Sequence, residues 1–259
     1  MLAVHVKSVL SQTSDSLAMF LSIPYVVWDW CRLGVFTGSR LSKYAQSGLR
    51  KHQRFQVIPS NINAGTWAGQ PLAFIRADLQ FFDQHNRIVL LPLLFSSHWK
   101  GLVQMVHIRF RYDKSADNFS VRKFPTSTDA ILNPVDATIS IIHRANMLGV
   151  LAEEPICTYG SKLGYYFLRD SHIRDALRLM CVRTYPDPKH YLRIHILRLV
   201  PHSNRVTAAV CLQMGGASLS DIAFCLQWHI ASVPTYLREC FQEVGPIMQQ
   251  AIMGAFKMS

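Results

Sequence analysis

Six side chains in this chain are of the types needed to work on a phosphodiester: Arg40, Lys114, His202, Arg205, Trp228 and Tyr236. Cutting such a bond in DNA without a metal makes three demands. The attacking oxygen must stand in line with its leaving group, the non-bridging oxygens need cationic donors, and the leaving hydroxyl needs a proton. A guanidinium grips two phosphate oxygens at once and stays charged at any working pH, which suits Arg40 and Arg205 to the second demand. A flexible ammonium can deliver a proton, which suits Lys114 to the third. His202 can donate a hydrogen bond or a proton, and the indole N–H of Trp228 can hold a phosphate oxygen. Tyr236 is the candidate nucleophile; a covalent phosphotyrosine stores the bond energy, so that religation needs no ATP.

These residues must be positioned by their elements. His202 opens a helical run that ends at Gly215-Gly216, and a second short helix runs from Ser218 to Trp228 behind a capping box, Ser218-Leu219-Ser220-Asp221. Ser232 is read as the cap of a last helix, with Pro234 in its first turn and Leu237, Cys240, Phe241 and Val244 inward. Tyr236 falls one residue before that inward face, at the helix edge. At the other end, a helix is expected over Ser22 to Phe36, capped by Ser22, with Trp28, Cys31 and Val35 on one side and Gly34 weakening its end. Thr37-Gly38-Ser39 breaks it. Ser39 is then expected to cap a new helix beginning at Arg40, whose exposed N–H groups would suit a phosphate.

Between these ends, Gln46 to Pro71 reads as a long loop made basic by Arg50, Lys51 and Arg54. Phe74 to Phe82 reads as a strand with Ile75, Ala77, Leu79 and Phe81 on one side. Val106 to Tyr112 is the clearest strand, its apolar positions alternating with His107, Arg109 and Arg111 on a basic face. Asp113 to Asn118 is a turn and Phe119 to Phe124 the return strand, which puts Lys114 near a hairpin tip. Asn133-Pro134 starts a helix that stops at Gly149. Leu151 to Leu168 looks less ordered. Ser171 is read as the cap of a helix closed by Pro186 and Pro188, and Tyr191 to Leu199 as an approach to His202. Helices outnumber the adjacent, hairpin-like strands. The expected fold is therefore α+β, mainly helical, with a small antiparallel three-stranded sheet.

At 259 residues and 49% hydrophobic, the chain can bury a substantial core. It holds 27 Lys and Arg against 16 Asp and Glu, a formal charge of +11, which favours a polyanionic partner, nucleic acid before a membrane surface. No apolar run approaches the roughly 20 residues of a spanning helix, and His5 and Lys7 interrupt the apolar start that a signal peptide would need. The six cysteines form no C-x-x-C pair and are read as reduced, buried thiols of an intracellular protein. Cys225 and His229 could share a helix face as metal ligands, but two further ligands at suitable spacing are missing.

The set Thr37-Gly38-Ser39-Arg40-Leu41-Ser42, Lys114 on a hairpin, His202-x-x-Arg205, Leu226-Gln227-Trp228 and Pro234-Thr235-Tyr236-Leu237-Arg238 resembles the tyrosine recombinase (phage integrase) family, most of all its eukaryotic, Crypton-type branch. The resemblance runs from about Trp28 to Arg238 in the family's order. It implies a catalytic domain over residues 1–245, with 246–259 as a tail whose Met248, Ile252 and Phe256 could dock on a neighbouring protomer. It implies Arg40 and Arg205 as phosphate clamps, Lys114 as general acid toward the leaving 5′ oxygen, and His202 as acid/base partner. Trp228 would fill the family's His/Trp phosphate-binding position, and Tyr236 would form the 3′-phosphotyrosine link. His229 is the nearest substitute for Trp228, and Lys123 for Lys114. Double-stranded DNA is the implied partner, a tetramer on DNA the implied assembly, and a DNA-associated location, nuclear in a eukaryote, follows. No metal or organic cofactor and no membrane is implied.

The chain departs from the family in three places. Lys43 stands where a glutamate often orients the first arginine, and turned inward it would repel Arg40. Asn204 replaces an apolar residue within the H-x-x-R motif. An N-terminal helical domain, which completes the family's clamp around DNA, is expected to be absent. These departures raise a second reading, a DNA-binding derivative without catalysis; a third is a type IB topoisomerase-like enzyme, which shares this chemistry but relaxes supercoils as a monomer.

Overall fold

The computed structural model describes residues 16–46, 56–60, 65–94, 99–112, 120–129, 131–226 and 228–237. Lys114, the basic loop residues Arg50, Lys51 and Arg54, and the tail from 238 onward lie outside them.

The chain begins with α1 (Ser16–Leu21) and α2 (Ile23–Thr37). Pro24 sits in the first turn of α2, where a missing N–H costs nothing. Ser22 occupies the cap position, but its hydroxyl donates to the Met19 carbonyl (2.7 Å) and makes no cap bond. Because α2 lies at the centre of the molecule it is buried nearly all round, through Val26, Val27, Trp28, Trp30, Leu33 and Thr37. The one-sided stripe expected from the sequence is thus too narrow. Gly38 ends the helix at φ +54, with its N–H donated to the Gly34 carbonyl.

A three-stranded antiparallel sheet follows: β1 (Leu79–Phe82), then two short helices, α3 (Leu91–Leu94) and α4 (Trp99–Leu102), then β2 (Met105–Phe110) and β3 (Ser120–Pro125), in the order β1-β2-β3. Val106, Ile108 and Phe110 face the core as their alternation requires. Two expectations fail at the strand ends. Residues Arg76–Asp78 form a 3-10 turn, because the buried Asp78 carboxylate accepts the Ile75 N–H (2.9 Å) and curls the chain. Arg111 does not join the basic face. It lies beyond the end of β2 and turns inward, 2% exposed, to pair with Asp78 at 2.8 Å and donate to the Ala73 carbonyl at 2.6 Å.

Helix α5 (Pro134–Met147) lies on the core face of β2 and β3 and along α2. Asn133 caps it, accepting from Val135 and Asp136. Inside this contact Arg144 reaches Asp29 of α2 at 2.5 Å, both fully buried. The stretch expected to be less ordered instead forms a hairpin, β4 (Thr158–Ser161) with β5 (Gly164–Phe167). Two four-residue strands joined by a stacked Tyr159–Tyr166 pair are too short for periodicity to reveal. Helix α6 (Asp170–Thr184) starts one residue before the expected cap: Arg169 holds the cap position and Ser171 lies inside.

After a short α7 (Tyr191–Ile194) and a 3-10 turn at Ile196–Arg198, α8 (His202–Met214) packs along α2, and α9 (Leu219–Leu226) packs on α8. The Ser218-Asp221 capping box forms in both directions, Asp221 Oδ2 accepting from Ser218 N–H and Ser218 Oγ from Asp221 N–H, each at 3.1 Å. The fold is α+β and mainly helical, as expected, with the second small sheet in addition. Among the described residues no helix is long and apolar enough to cross a membrane. Cys31, Cys157, Cys181 and Cys225 are free and at least partly buried, but Cys211 is exposed, against expectation.

Candidate phosphate pocket

One end of α2 and the starts of α6 and α8 converge on a cavity of about 410 Å³. Its walls are Ser39, Arg40 and Leu41 after α2, Asp170 at the start of α6, Val200, Pro201, His202 and Arg205 at the start of α8, and Tyr236. Four of the six residues singled out from the sequence therefore line one space. Two helices of 15 and 13 residues present their N-terminal ends there, where the positive end of the helix dipole favours an anion.

Arg40 does not open a helix. Its backbone is extended (φ −68, ψ 152) ahead of a single 3-10 turn, Leu41–Lys43, and Ser39 donates its hydroxyl to Thr37 Oγ1 (2.8 Å) in place of capping. The expected anion site of exposed helical N–H groups is consequently not there, and Arg40 enters the cavity from an extended link. Lys43 does turn inward, but not toward the cavity. Its Nζ donates to the Tyr112 carbonyl (2.7 Å) and lies 5.8 Å from the Phe74 ring centre. The charge that was expected to oppose Arg40 is spent on the sheet side.

Arg205 is 8% exposed, one turn into α8, and its Nη2 donates to the carbonyl of Leu226 (3.2 Å), a C-terminal acceptor of α9. Its guanidinium carbon lies 4.9 Å from the Trp228 ring centre. Trp228 in turn lies beside Tyr236, ring centres 4.3 Å apart, and the His202 ring lies 5.2 Å from Tyr236 on another side. Trp228 is itself 8% exposed, and its indole N–H has no hydrogen-bond partner among the described residues. A buried donor left unpaired costs free energy and suits a site awaiting an acceptor.

This second half of the site rests on its own small core of Ala208, Ala209, Ile222, Ala223, Leu226, Trp228, Val233 and Leu237. Two glycines let it dock on α2. A Cβ at Gly34 would fall 1.9 Å from Asn204 Nδ2, so Asn204 seats its amide on a glycine in the α2–α8 seam, and Gly34 serves this approach. A Cβ at Gly38 would fall 2.3 Å from Leu226 Cδ2. Tyr236 sits on residues 233–237, which are helical and follow a 3-10 turn at Ile230–Ser232; that turn takes the place of the expected Ser232 cap.

The substitutes considered from the sequence sit apart from the cavity walls. His229 is exposed, and Lys123 is exposed on β3 opposite His107. Among the described residues no group of three potential metal ligands forms.

The sequence reading missed Asp170. An acidic residue in a first helical turn ordinarily answers the helix dipole, and with the cap assigned to Ser171 it reads as loop. It also missed Tyr44, 4% exposed and stacked on Trp30, whose hydroxyl burial pushes well above the usual phenol range while Arg205 and Asp170 act on it with opposite sign. Comparison of the chain with family models, with curated proteins and with solved structures gave no match.

Proposed function

We propose that this protein breaks and rejoins DNA through a covalent 3′-phosphotyrosine, as a site-specific recombinase or integrase of the tyrosine type. The observation that carries the reading is the meeting of Arg40, His202, Arg205 and Tyr236 around one cavity, although 196 residues separate the first from the last. In this reading the two guanidiniums hold the non-bridging oxygens, and the unpaired Trp228 N–H takes one of them. His202 accepts the proton of the Tyr236 hydroxyl as its oxygen bonds to phosphorus. The bond to the 5′ oxygen breaks, and Lys114 supplies that oxygen's proton. Reversal of the same steps rejoins the strand with no external energy. Double-stranded DNA is the substrate, and strand exchange between two sites calls for an assembly of several copies, a tetramer.

The test is to incubate the protein with a library of DNA duplexes and look for a protein–DNA adduct that withstands denaturation. The adduct is expected with the native protein, and Tyr236→Phe is expected to lower its yield by at least about a thousandfold while leaving salt-dependent DNA binding in place. An adduct that persists in the Phe variant refutes Tyr236 as nucleophile. DNA binding with no adduct in any duplex selects a DNA-binding derivative, and relaxation of plasmid by a monomer selects topoisomerase action.

A further inference from the structure

We infer that the outer face of the three-stranded sheet is a contact for the phosphate backbone of duplex DNA, separate from the cavity. None of the cavity's walls comes from a strand, and this surface needs no reaction at Tyr236. Helix α5 packs on the core face of β2 and β3, so the polar half of each strand's alternation is turned the other way. The register sets Gln80, His107 and Lys123 side by side in one row, with Arg109 and Val121 in the next. None of the three strands contains an acidic residue. Gln80 and Lys123 are exposed, and Val121 is 47% exposed, so the face is open to solvent at its middle.

Arg109 is held on this face rather than left to wander. Its guanidinium carbon lies 5.7 Å from the centre of the Trp67 ring, and that of Arg111 lies 5.6 Å from the same ring. Arg111 is anchored in turn by Asp78 and the Ala73 carbonyl. The indole thus ties Arg109 to a buried ion pair through its ring, which leaves the N–H donors of Arg109 for another acceptor. Neither Arg109 nor Lys123 has a carboxylate or hydrogen-bond partner among the described residues. The two are diagonal neighbours on adjacent antiparallel strands, about 7–8 Å apart, which is close to the separation of consecutive phosphates along one DNA strand. Two cations at the repeat of a phosphate chain fit a backbone better than an acidic protein segment, whose carboxylates stand on flexible stems with no such repeat. The chain's formal charge of +11 points the same way.

The experiment measures affinity of the full chain for a mixed-sequence duplex across a salt series by fluorescence anisotropy, in a Tyr236→Phe background so that binding is read free of covalent capture. Each phosphate contact contributes about 0.9 to the slope of log affinity against log salt. Arg109→Gln and Lys123→Gln are each expected to lower the slope by about that much, and the two together by about 1.8. Arg109→Lys keeps the charge and is expected to keep the slope, as is Lys162→Gln on the exposed turn between β4 and β5. The duplex is also expected to move the NMR signal of the His107 imidazole, assigned with His107→Gln, whereas polyglutamate of equal charge is not. Thermal melts report any folding defect in Arg109→Gln, and the exposed Lys123 provides a substitution outside the core. A slope unchanged in Lys123→Gln and in the double variant, an equal loss in Lys162→Gln, or a His107 signal that polyglutamate moves as far as the duplex does, overturns the inference. Slope changes without any adduct would remove the phosphotyrosine reading and keep this surface; an adduct with unchanged slopes would do the reverse.

Discussion

The ring of Trp228 lies 4.3 Å from that of Tyr236, tilted by 39°, with the Arg205 guanidinium on the indole 4.9 Å from its centre. The three side chains form one stack, so the proposed nucleophile and one proposed clamp are positioned by the same indole. Trp228→Ala is expected to destabilise the protein by about 3–5 kcal/mol, as loss of a buried tryptophan does, and to abolish adduct formation through loss of the stack. Trp228→Phe keeps a ring but removes the N–H. It is expected to cost less than half as much stability and still to reduce adduct formation by about 10- to 100-fold. Urea melts and adduct assays on the two variants separate packing from hydrogen bonding; equal activity in Trp228→Phe and native protein would show that the N–H takes no part.

Gly38 answers two needs at once, a left-handed backbone at φ +54 and room for Leu226. Gly38→Ala is expected to lose about 1–2 kcal/mol to backbone strain and a further ~1–3 kcal/mol to overpacking against Leu226. Combining it with Leu226→Ala should recover part of the packing loss and none of the strain. A double-mutant cycle measures this, and strict additivity would mean that the two residues do not touch.

The Asp29–Arg144 pair is fully buried between α2 and α5, far along α2 from the cavity end. Arg144 also donates to the Phe20 carbonyl (2.9 Å) and lies over the Phe20 ring at 4.6 Å. Arg144→Met leaves the buried Asp29 carboxylate with only the longer Arg32 contact at 3.4 Å and is expected to cost about 3 kcal/mol. Asp29→Asn combined with Arg144→Met should be markedly milder. Chemical denaturation reads both, and a single variant as stable as the native protein would refute the pairing.

His172 links the start of α6 to pH. Its Nδ1 accepts the Arg169 N–H at 3.2 Å, a bond available only to an unprotonated Nδ1. Burial lowers its pKa below 6.5 and the neighbouring Arg169 lowers it further, against Asp175. A base with a depressed folded pKa is favoured neutral by folding. Its contribution is therefore whole above the unfolded value of 6.5 and fades as pH falls through 6.5 toward the folded value. Thermal stability of the native protein is expected to decline over that window more steeply than that of His172→Asn, since His107 and His143, also held low by burial, remain in both. Parallel pH profiles would remove His172 from this account.

The helices and the main sheet were legible because their signals are local. Asn133-Pro134, the Ser218-Asp221 box and the alternation of Val106, Ile108 and Phe110 each fix an element within a few residues. What the sequence hid is set by distant partners. Arg111 reads as one more outward arginine on an alternating strand until Asp78 gives it a reason to turn in. Lys43 reads as a rival of Arg40 until the Tyr112 carbonyl, 69 positions away, takes its ammonium. Gly34 reads as a weak spot in a helix because nothing local shows that Asn204 needs the space. The candidate site follows the same rule: residue types marked Arg40, His202, Arg205 and Tyr236, while Asp170 declared itself only once α6 was seen to begin at the cavity wall.

The cavity's walls come from both ends of the chain, and this has a consequence in time. Arg40 and its helix are made early, whereas Tyr236 and the Leu226 that rests on Gly38 are made late. At about 5–20 residues per second, synthesis separates the two by roughly 10–40 s. During that interval α2 waits with an open flank and no tyrosine beside its arginine. A nascent chain on the ribosome thus holds only part of the cavity's wall, and the chemistry proposed above becomes possible only when the small core of α8 and α9 closes over Gly38.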